Sequence, residues 1–189
     1  MATSVKSVIG EVRFSYLHVF EPYSFDPSQE PKYSATLLIP KSDNTLVEKI
    51  KRDIKATYDA AVVDRWGGKK PPMDKVTPLR DGDEPNDDGE DRGPAYAGHY
   101  YLNCKSKQAP GVVGRDRKPI ISTDDFYSGC YGYASVAFGA FDNNGNKGIS
   151  CYLNNLMKSK DGDPLGGART SAEEDFAGVD LGFDTSEEL

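Results

Sequence analysis

Tyrosine and lysine share one side of an extended stretch in this 189-residue chain. In residues 99–107, HYYLNCKSK, Tyr101, Asn103, Lys105 and Lys107 fall on one face of a strand, and Leu102 and Cys104 on the other. Such a face joins flat rings to cations. Rings stack on nucleobases of any sequence, worth about 1–3 kcal/mol per base, while Lys and Arg follow the phosphates. The same composition recurs further on. Arg115, Arg117 and Lys118 crowd the Gly/Pro loop QAPGVVGRDRKPI, and Tyr133, Phe141 and Tyr152 project outward from two later strands. These nine rings and cations, Asn103 aside, are the candidate nucleic-acid contacts. Taken singly, each ring serves equally well as packing beneath a loop. The abundance of tyrosine, 11 against one tryptophan, turns the group toward a binding surface.

Catalytic patterns are absent. The chain contains no G-x-x-x-x-G-K-[ST] phosphate loop. The stretch DNNGNKG lacks the acidic spacing of a calcium loop and reads as a hairpin turn. Asp124 and Asp125 would serve as metal ligands in a nuclease, but an adjacent pair before a turn reads better as a cap or solvated corner. Cys130 has no histidine nearby in sequence to activate it, and Ser128 and Ser135 lack a nucleophile elbow. His18 and His99 are not at zinc-ligand spacing from a cysteine. Cys104, Cys130 and Cys151 are odd in number and form no C-x-x-C pair, which fits a reducing cytoplasm better than a disulfide framework. The expectation is a protein without catalysis, metal or cofactor.

Charge is unevenly spread. The net charge is −7, yet fourteen of the 30 acids lie in two blocks without any Lys or Arg: DGDEPNDDGED at 81–91 and AEEDFAGVDLGFDTSEEL at 172–189. All 23 basic residues belong to the rest, so a cationic body carries two acidic segments. Like-charge blocks with Gly and Pro repel themselves and bury little, so both read as loop or tail. The tail is either a solubilising appendage or a tethered polyanion that competes with a nucleic-acid backbone for the basic surface. In the second reading it offers Phe176, Leu181 and Phe183 to a protein partner once displaced.

Elements to position these residues follow from periodicity. Residues 5–20 read as a long strand, bent or bulged because Leu17 and Val19 break the alternation of Val12, Phe14 and Tyr16. Residues 33–40 form a second strand with Ala35, Leu37 and Ile39 on one face. Residues 43–66 switch to helical spacing with Leu46, Ile50, Ile54, Ala61 and Val62 on one side, a Thr45/Glu48 capping box and a Gly67-Gly68 stop. Trp66 at the helix end reads as buried. Residues 67–98, with six glycines and five prolines, read as a long irregular connection. Strands at 99–107, 131–142 and 148–157 follow, the last two joined at NNGNKG, with Gly132 and Gly139 marking bends. Hydrophobic residues are only 37% of the chain, so part of it stays solvent-facing. No window approaches 18 consecutive apolar residues, which excludes a membrane-spanning helix, and the N-terminus has no apolar core of a secretory signal.

Five strands and one helix match an OB-fold-like, five-stranded Greek-key barrel, mainly β, with long irregular connections and a disordered acidic C-terminal tail. The helix follows the second strand, whereas many OB-folds place it after the third. The expected division is a binding domain over residues 1–165 and a tail over 166–189. A barrel of this kind also suits an interaction adaptor, since fold alone does not decide function.

The C-terminal half resembles a known family. The run from Phe126 to Gly167 contains the strand GYASVAFGAF, the KGIS step at Lys147 to Ser150, the LNN segment at Leu153 to Asn155 and the stretch DGDPLGG from Asp161. Glu174-Asp175-Phe176 follows it, and Leu38-Ile39-Pro40-Lys41 closes a similar N-terminal strand-loop-strand. Together these resemble the phage single-stranded DNA-binding proteins of the Enc type. The resemblance implies an OB-fold, no catalysis, and single-stranded DNA as partner during phage replication, recombination or repair in the host cytoplasm. It also implies an acidic tail that contacts replication or recombination proteins, and leaves self-association open.

If the tail visits the basic surface, deleting residues 172–189 should tighten binding to a single-stranded oligonucleotide and reduce selectivity against duplex. Titrations at matched salt measure this; equal affinities would place the tail elsewhere.

Overall fold

β-Branched and aromatic residues dominate the first extended segment, and it forms one long strand, β1 (Val5–Tyr23). The computed structural model describes residues 4–86, 88–90, 92–165 and 176–179. After β1 come β2 (Lys32–Pro40), α1 (Asn44–Asp64), a single turn α2 (Met73–Val76), and β3 (Leu79–Asp81). The chain continues through β4 (His99–Ser106), β5 (Gly111–Val113), β6 (Tyr131–Asn143) and β7 (Asn146–Lys160).

The sheet runs in the order β3-β4-β2-β1-β6-β7-β5, and a further pairing of β4 with β7 closes five of the strands into a barrel. The closing pair is parallel, Cys104 opposite Cys151 and Lys105 opposite Tyr152. The other barrel pairs are antiparallel. This is the expected OB-like barrel, with the helix after the second strand. β3 and β5 are additions at its edges. Each has three residues, too few to carry a periodic signal in the sequence.

Alternation explains the interior. Val12, Phe14, Leu37, Ile39, Leu102, Cys104, Val136, Phe138, Cys151 and Leu153 are buried in one core. Leu38, between two of these on β2, is buried on the opposite face beneath Tyr96 and Tyr101. The bulge expected in β1 is present: its register with β2 shifts between Ser15 and His18. Tyr16 there adopts a positive φ of 46° and points to solvent, so it leaves the series begun by Val12 and Phe14. Val19 resumes the core side.

α1 packs against β1, β6 and β7 with Leu46, Val47, Ile50, Ile54 and Ala61 buried. Its N-cap is Asp43, whose carboxylate accepts from the Leu46 amide at 3.2 Å, and not the expected Thr45/Glu48 box. Asp43 immediately precedes the first helical residue, where a short acceptor reaches the third amide. At the other end Trp66 is buried, and its indole N–H donates to the Phe141 carbonyl at 3.0 Å, tying the helix exit to β6. Residues 67–98 are less irregular than their composition suggests, since they contain α2 and β3. No helix among the described residues is long and apolar enough to cross a membrane.

Gly132 lies where β1, β6 and β7 press together. A Cβ there would run into the Met157 carbonyl and stand 2.9 Å from the Phe14 ring. Gly132→Ala should therefore lower stability by about 1–3 kcal/mol, the usual range for overpacking. Gly145 in the β6–β7 turn has open space around it and φ of 91°, so Gly145→Ala should cost about 1 kcal/mol from backbone strain alone. Urea unfolding of both variants measures the difference; equal losses would contradict the packing account.

Candidate nucleic-acid interface

Strand register sets residues side by side on the outer face of the barrel. His18 of β1 lies opposite Ser34 of β2, Ser34 opposite Lys105 of β4, and Lys105 opposite Tyr152 of β7. With strands ~4.8 Å apart, this row spans about 14 Å. Flanking it, Tyr23 pairs with Lys32, and Thr36 with Asn103. The Thr36 hydroxyl donates to Asn103 Oδ1 at 2.8 Å, which turns the amide nitrogen away from it. Short polar side chains thus floor the middle of the face, with cations and rings around them.

A groove of about 810 Å³ runs over this floor. Tyr16, His18, Tyr23 and Phe25 contribute to it from β1 and the loop after it, and Arg92 and Tyr96 from the segment before β4. Tyr101, Lys105 and Lys107 lie along it too. A smaller recess of about 320 Å³ adjoins it at Lys32, Asn103 and Lys105 and reaches Arg80 and Tyr152. At one end the His18 and Tyr23 rings stack with centroids 4.4 Å apart and planes 10° off parallel.

The structure brings together four of the nine expected contacts: Tyr101, Lys105, Lys107 and Tyr152. Tyr101 is not the open ring that alternation suggests. It is only 7% exposed, because Tyr96 packs edge-on at 5.2 Å and the Arg92 guanidinium lies 5.1 Å from its ring centre. Burial pushes the Tyr96 phenol up to about 12. The wall carrying these two residues begins in the first acidic block. Asp81 and Asp83 both pair with Lys41 at 2.6 Å, and Asp83 also accepts from the Gly98 amide at 2.9 Å. The Arg92 Nε–H donates to the Glu84 carbonyl at 3.1 Å. The block read as a self-repelling loop is therefore pinned at its start, where one cation bridges two of its acids. Lys41 holds both carboxyls below the usual aspartate range, and they raise its own ammonium well above the usual lysine value.

Five expected contacts lie outside the groove. Tyr133 and Phe141 cover the barrel wall, Tyr133 over Gly10 and Phe141 over Gly148, at positions where an added Cβ would collide with the ring. Tyr152 sits in the same manner over Gly139, yet keeps 46% exposure toward the recess. Ring over cross-strand glycine is a packing device, and it explains why these outward aromatics look alike in sequence. Arg115, Arg117 and Lys118 are exposed in the turn after β5, where the Gly114 amide donates to the Lys118 carbonyl at 3.0 Å. Phe176 is 67% exposed, while Leu181 and Phe183 lie outside the described residues.

Sequence reasoning missed Tyr16, His18, Tyr23, Phe25, Lys32, Arg92 and Tyr96. Tyr16 and His18 were absorbed into a strand read for its core, and Tyr23 lies beyond residue 20, where that strand was expected to end, although β1 runs on to it. The bulge signal at Leu17 and Val19 already implied that neighbouring side chains change sides. Asp124 and Asp125 occupy an exposed turn, with both Asp124 and Asp125 amides donating to Ser122 oxygens. Among the described residues no cluster of three or more His, Cys, Asp or Glu side chains is placed to hold a metal. Cys130 is buried, and burial pushes its thiol up, away from the reactive thiolate.

The family described as "Enterobacter phage Enc34, ssDNA-binding protein" matches residues 5–188. "Putative protein p50" of Acyrthosiphon pisum secondary endosymbiont phage 1 is 36% identical over 196 residues, covering 98% of each protein. The solved structure of the single-stranded DNA-binding protein from bacteriophage Enc34 in complex with ssDNA is 26% identical, with a TM-score of 0.72 over 86% of this chain and 90% of that one. A second structure of the Enc34 protein is 26% identical with a TM-score of 0.69, covering 91% and 90%.

The wall has a predictable acid response. Asp81 and Asp83 have lowered values, so their support is complete above the ordinary aspartate value of about 3.9 and is lost as pH falls through the lowered ones. Lys41 is raised, so its share is complete at neutral pH and lost only in strong base. Hydrogen exchange, corrected for intrinsic rates, should show the Gly98 amide losing protection in acid before the strands of the barrel do. Lys41→Met should produce the same local loss at neutral pH. Protection of Gly98 equal to the barrel's in both cases would refute the pinning.

Proposed function

The chain belongs to the family of the ssDNA-binding protein of Enterobacter phage Enc34, and from that premise we propose that it binds single-stranded DNA in the groove across β1, β2 and β4. The observation that carries the reading is the registered row His18–Ser34–Lys105–Tyr152, which sets a cation between rings on an open sheet face. Nucleobases stack on Tyr16, on the His18–Tyr23 pair and on Tyr152. Phosphates meet Lys32, Lys105, Lys107 and Arg80. Ser34, Thr36 and Asn103 are short enough to let the strand lie close, and Ser34 and the Asn103 amide nitrogen offer hydrogen bonds that any base can use. Stacking of this kind tolerates sequence, which suits a protein that coats and protects unpaired DNA.

Arg115, Arg117 and Lys118 add long-range attraction for a polyanion without lining the groove. Tyr133 and Phe141 act in the barrel wall. No step of this function requires catalysis or a cofactor. The setting is phage DNA replication, recombination or repair in the host cytoplasm. The acidic tail modulates access to the groove and presents Phe176, Leu181 and Phe183 to replication or recombination proteins.

Anisotropy of a labelled oligo-dT measures the binding. Affinity should fall as salt rises, because each phosphate contact releases counterions. Lys105→Ala should weaken binding and make the log–log salt slope shallower by about 0.7, one contact's worth for a single strand. Tyr152→Ala should cost about 1–3 kcal/mol with the slope unchanged. Absence of binding at low salt, by full-length and tail-deleted protein alike, would overturn the proposal.

A further inference from the structure

Phe25 is 92% exposed, the most exposed large apolar side chain among the described residues, and it stands on the loop between β1 and β2 at the rim of the groove. A lone apolar ring in water needs no explanation by itself. Its mounting does. The Asp26 carboxylate accepts from the Ser28 amide at 2.9 Å and the Ser28 hydroxyl at 2.8 Å, and the Gln29 amide donates to the Asp26 carbonyl at 2.9 Å. These bonds build a tight turn immediately after Phe25 and keep the ring outside the protein. The leg entering the loop ends in the His18–Tyr23 stack. The leg leaving it carries Glu30, 3.7 Å from the Lys107 ammonium beyond the end of β4. The loop therefore springs from a stacked base on β1 and touches the chain just beyond β4 through one exposed ion pair.

Both contacts suit the same ligand. The Glu30–Lys107 pair is exposed on both partners, 66% and 71%, so it is weak and readily exchanged. A phosphate is the natural competitor for Lys107. Stacked rings at the base of the loop already offer a surface for a base, and Phe25 presents a second face above the groove.

We propose that the β1–β2 loop is a strap over the groove: Phe25 stacks on an unpaired nucleobase from the solvent side, while a backbone phosphate replaces Glu30 at Lys107. This rests on the reading that the groove takes single-stranded DNA. The strap adds a contact that forms only once the strand is in place, so its main effect is on dissociation. Because stacking is neutral, it leaves the salt dependence contributed by Phe25 at zero.

Phe25→Trp tests the contact directly. The native Trp66 is buried at 2% exposure and is a spectator. The indole introduced at position 25 should start with a solvent-exposed emission and be quenched on saturation with oligo-dT. Phe25→Ala should weaken oligo-dT binding about tenfold, chiefly through faster dissociation, with an unchanged salt slope and unchanged Tm. An indole that stays unquenched at saturation, or an alanine variant with native affinity, would overturn the strap while native binding leaves the groove reading intact. Failure of the native protein to bind oligo-dT at low salt would remove both together.

Discussion

The parallel pairing of β4 with β7 is the constraint on which the rest depends. Only two registered pairs make it, and they divide their labour by alternation. Cys104 and Cys151 point inward, buried, with sulfurs 3.0 Å apart and the Cys151 thiol pushed up by its surroundings. They fill a narrow seam as small apolar groups. Lys105 and Tyr152 point outward from the same backbone. Closing the barrel and joining the ring on β7 to the cation on β4 are thus one event.

A surface that must hold rings open to solvent has a packing problem, and glycine solves it here. Tyr133, Phe141 and Tyr152 each lie across a glycine on a neighbouring strand. The ring covers bare backbone on one side and leaves its other side available or covered as the neighbourhood dictates. Tyr152 remains half-open beside the recess; Tyr133 and Phe141 finish the wall. Tyr101 meets the opposite fate. The segment pinned through Lys41 to Asp81 and Asp83 folds over it with Tyr96 and Arg92, making a groove wall from what would otherwise be bare sheet. One floor, two walls from loops and a cationic margin then make up the groove proposed for an extended polyanion bearing flat groups.

Much of the fold is legible from local pattern. The period of two in residues 33–40, 99–107 and 131–157 and the helical period in residues 43–66 report which side chains face a core, because burial of a face is what alternation records. The bulge of β1 is visible at Leu17 and Val19. β3, β5 and the Asp43 cap are not, since three residues or one carboxylate leave no periodic trace. The site is legible in kind but half-legible in place. Lys105, Lys107, Tyr101 and Tyr152 come together, while Arg115, Arg117, Lys118, Tyr133 and Phe141 have the right chemistry at other positions on the surface.

By itself, the sequence determined the five barrel strands, the long helix, the core-facing side of each and the mixture of rings and cations that a single strand of nucleic acid would need. These are properties of neighbours in the chain, encoded at short range. Which rings line the groove was decided by tertiary structure alone. His18, Lys105 and Tyr152 are far apart in sequence, and only cross-strand register and barrel closure set them in one row. The wall over Tyr101 likewise exists only because Asp81 and Asp83 meet Lys41, forty and forty-two residues away. Burial of an outward residue depends on what folds over it, and no alternation pattern carries that information.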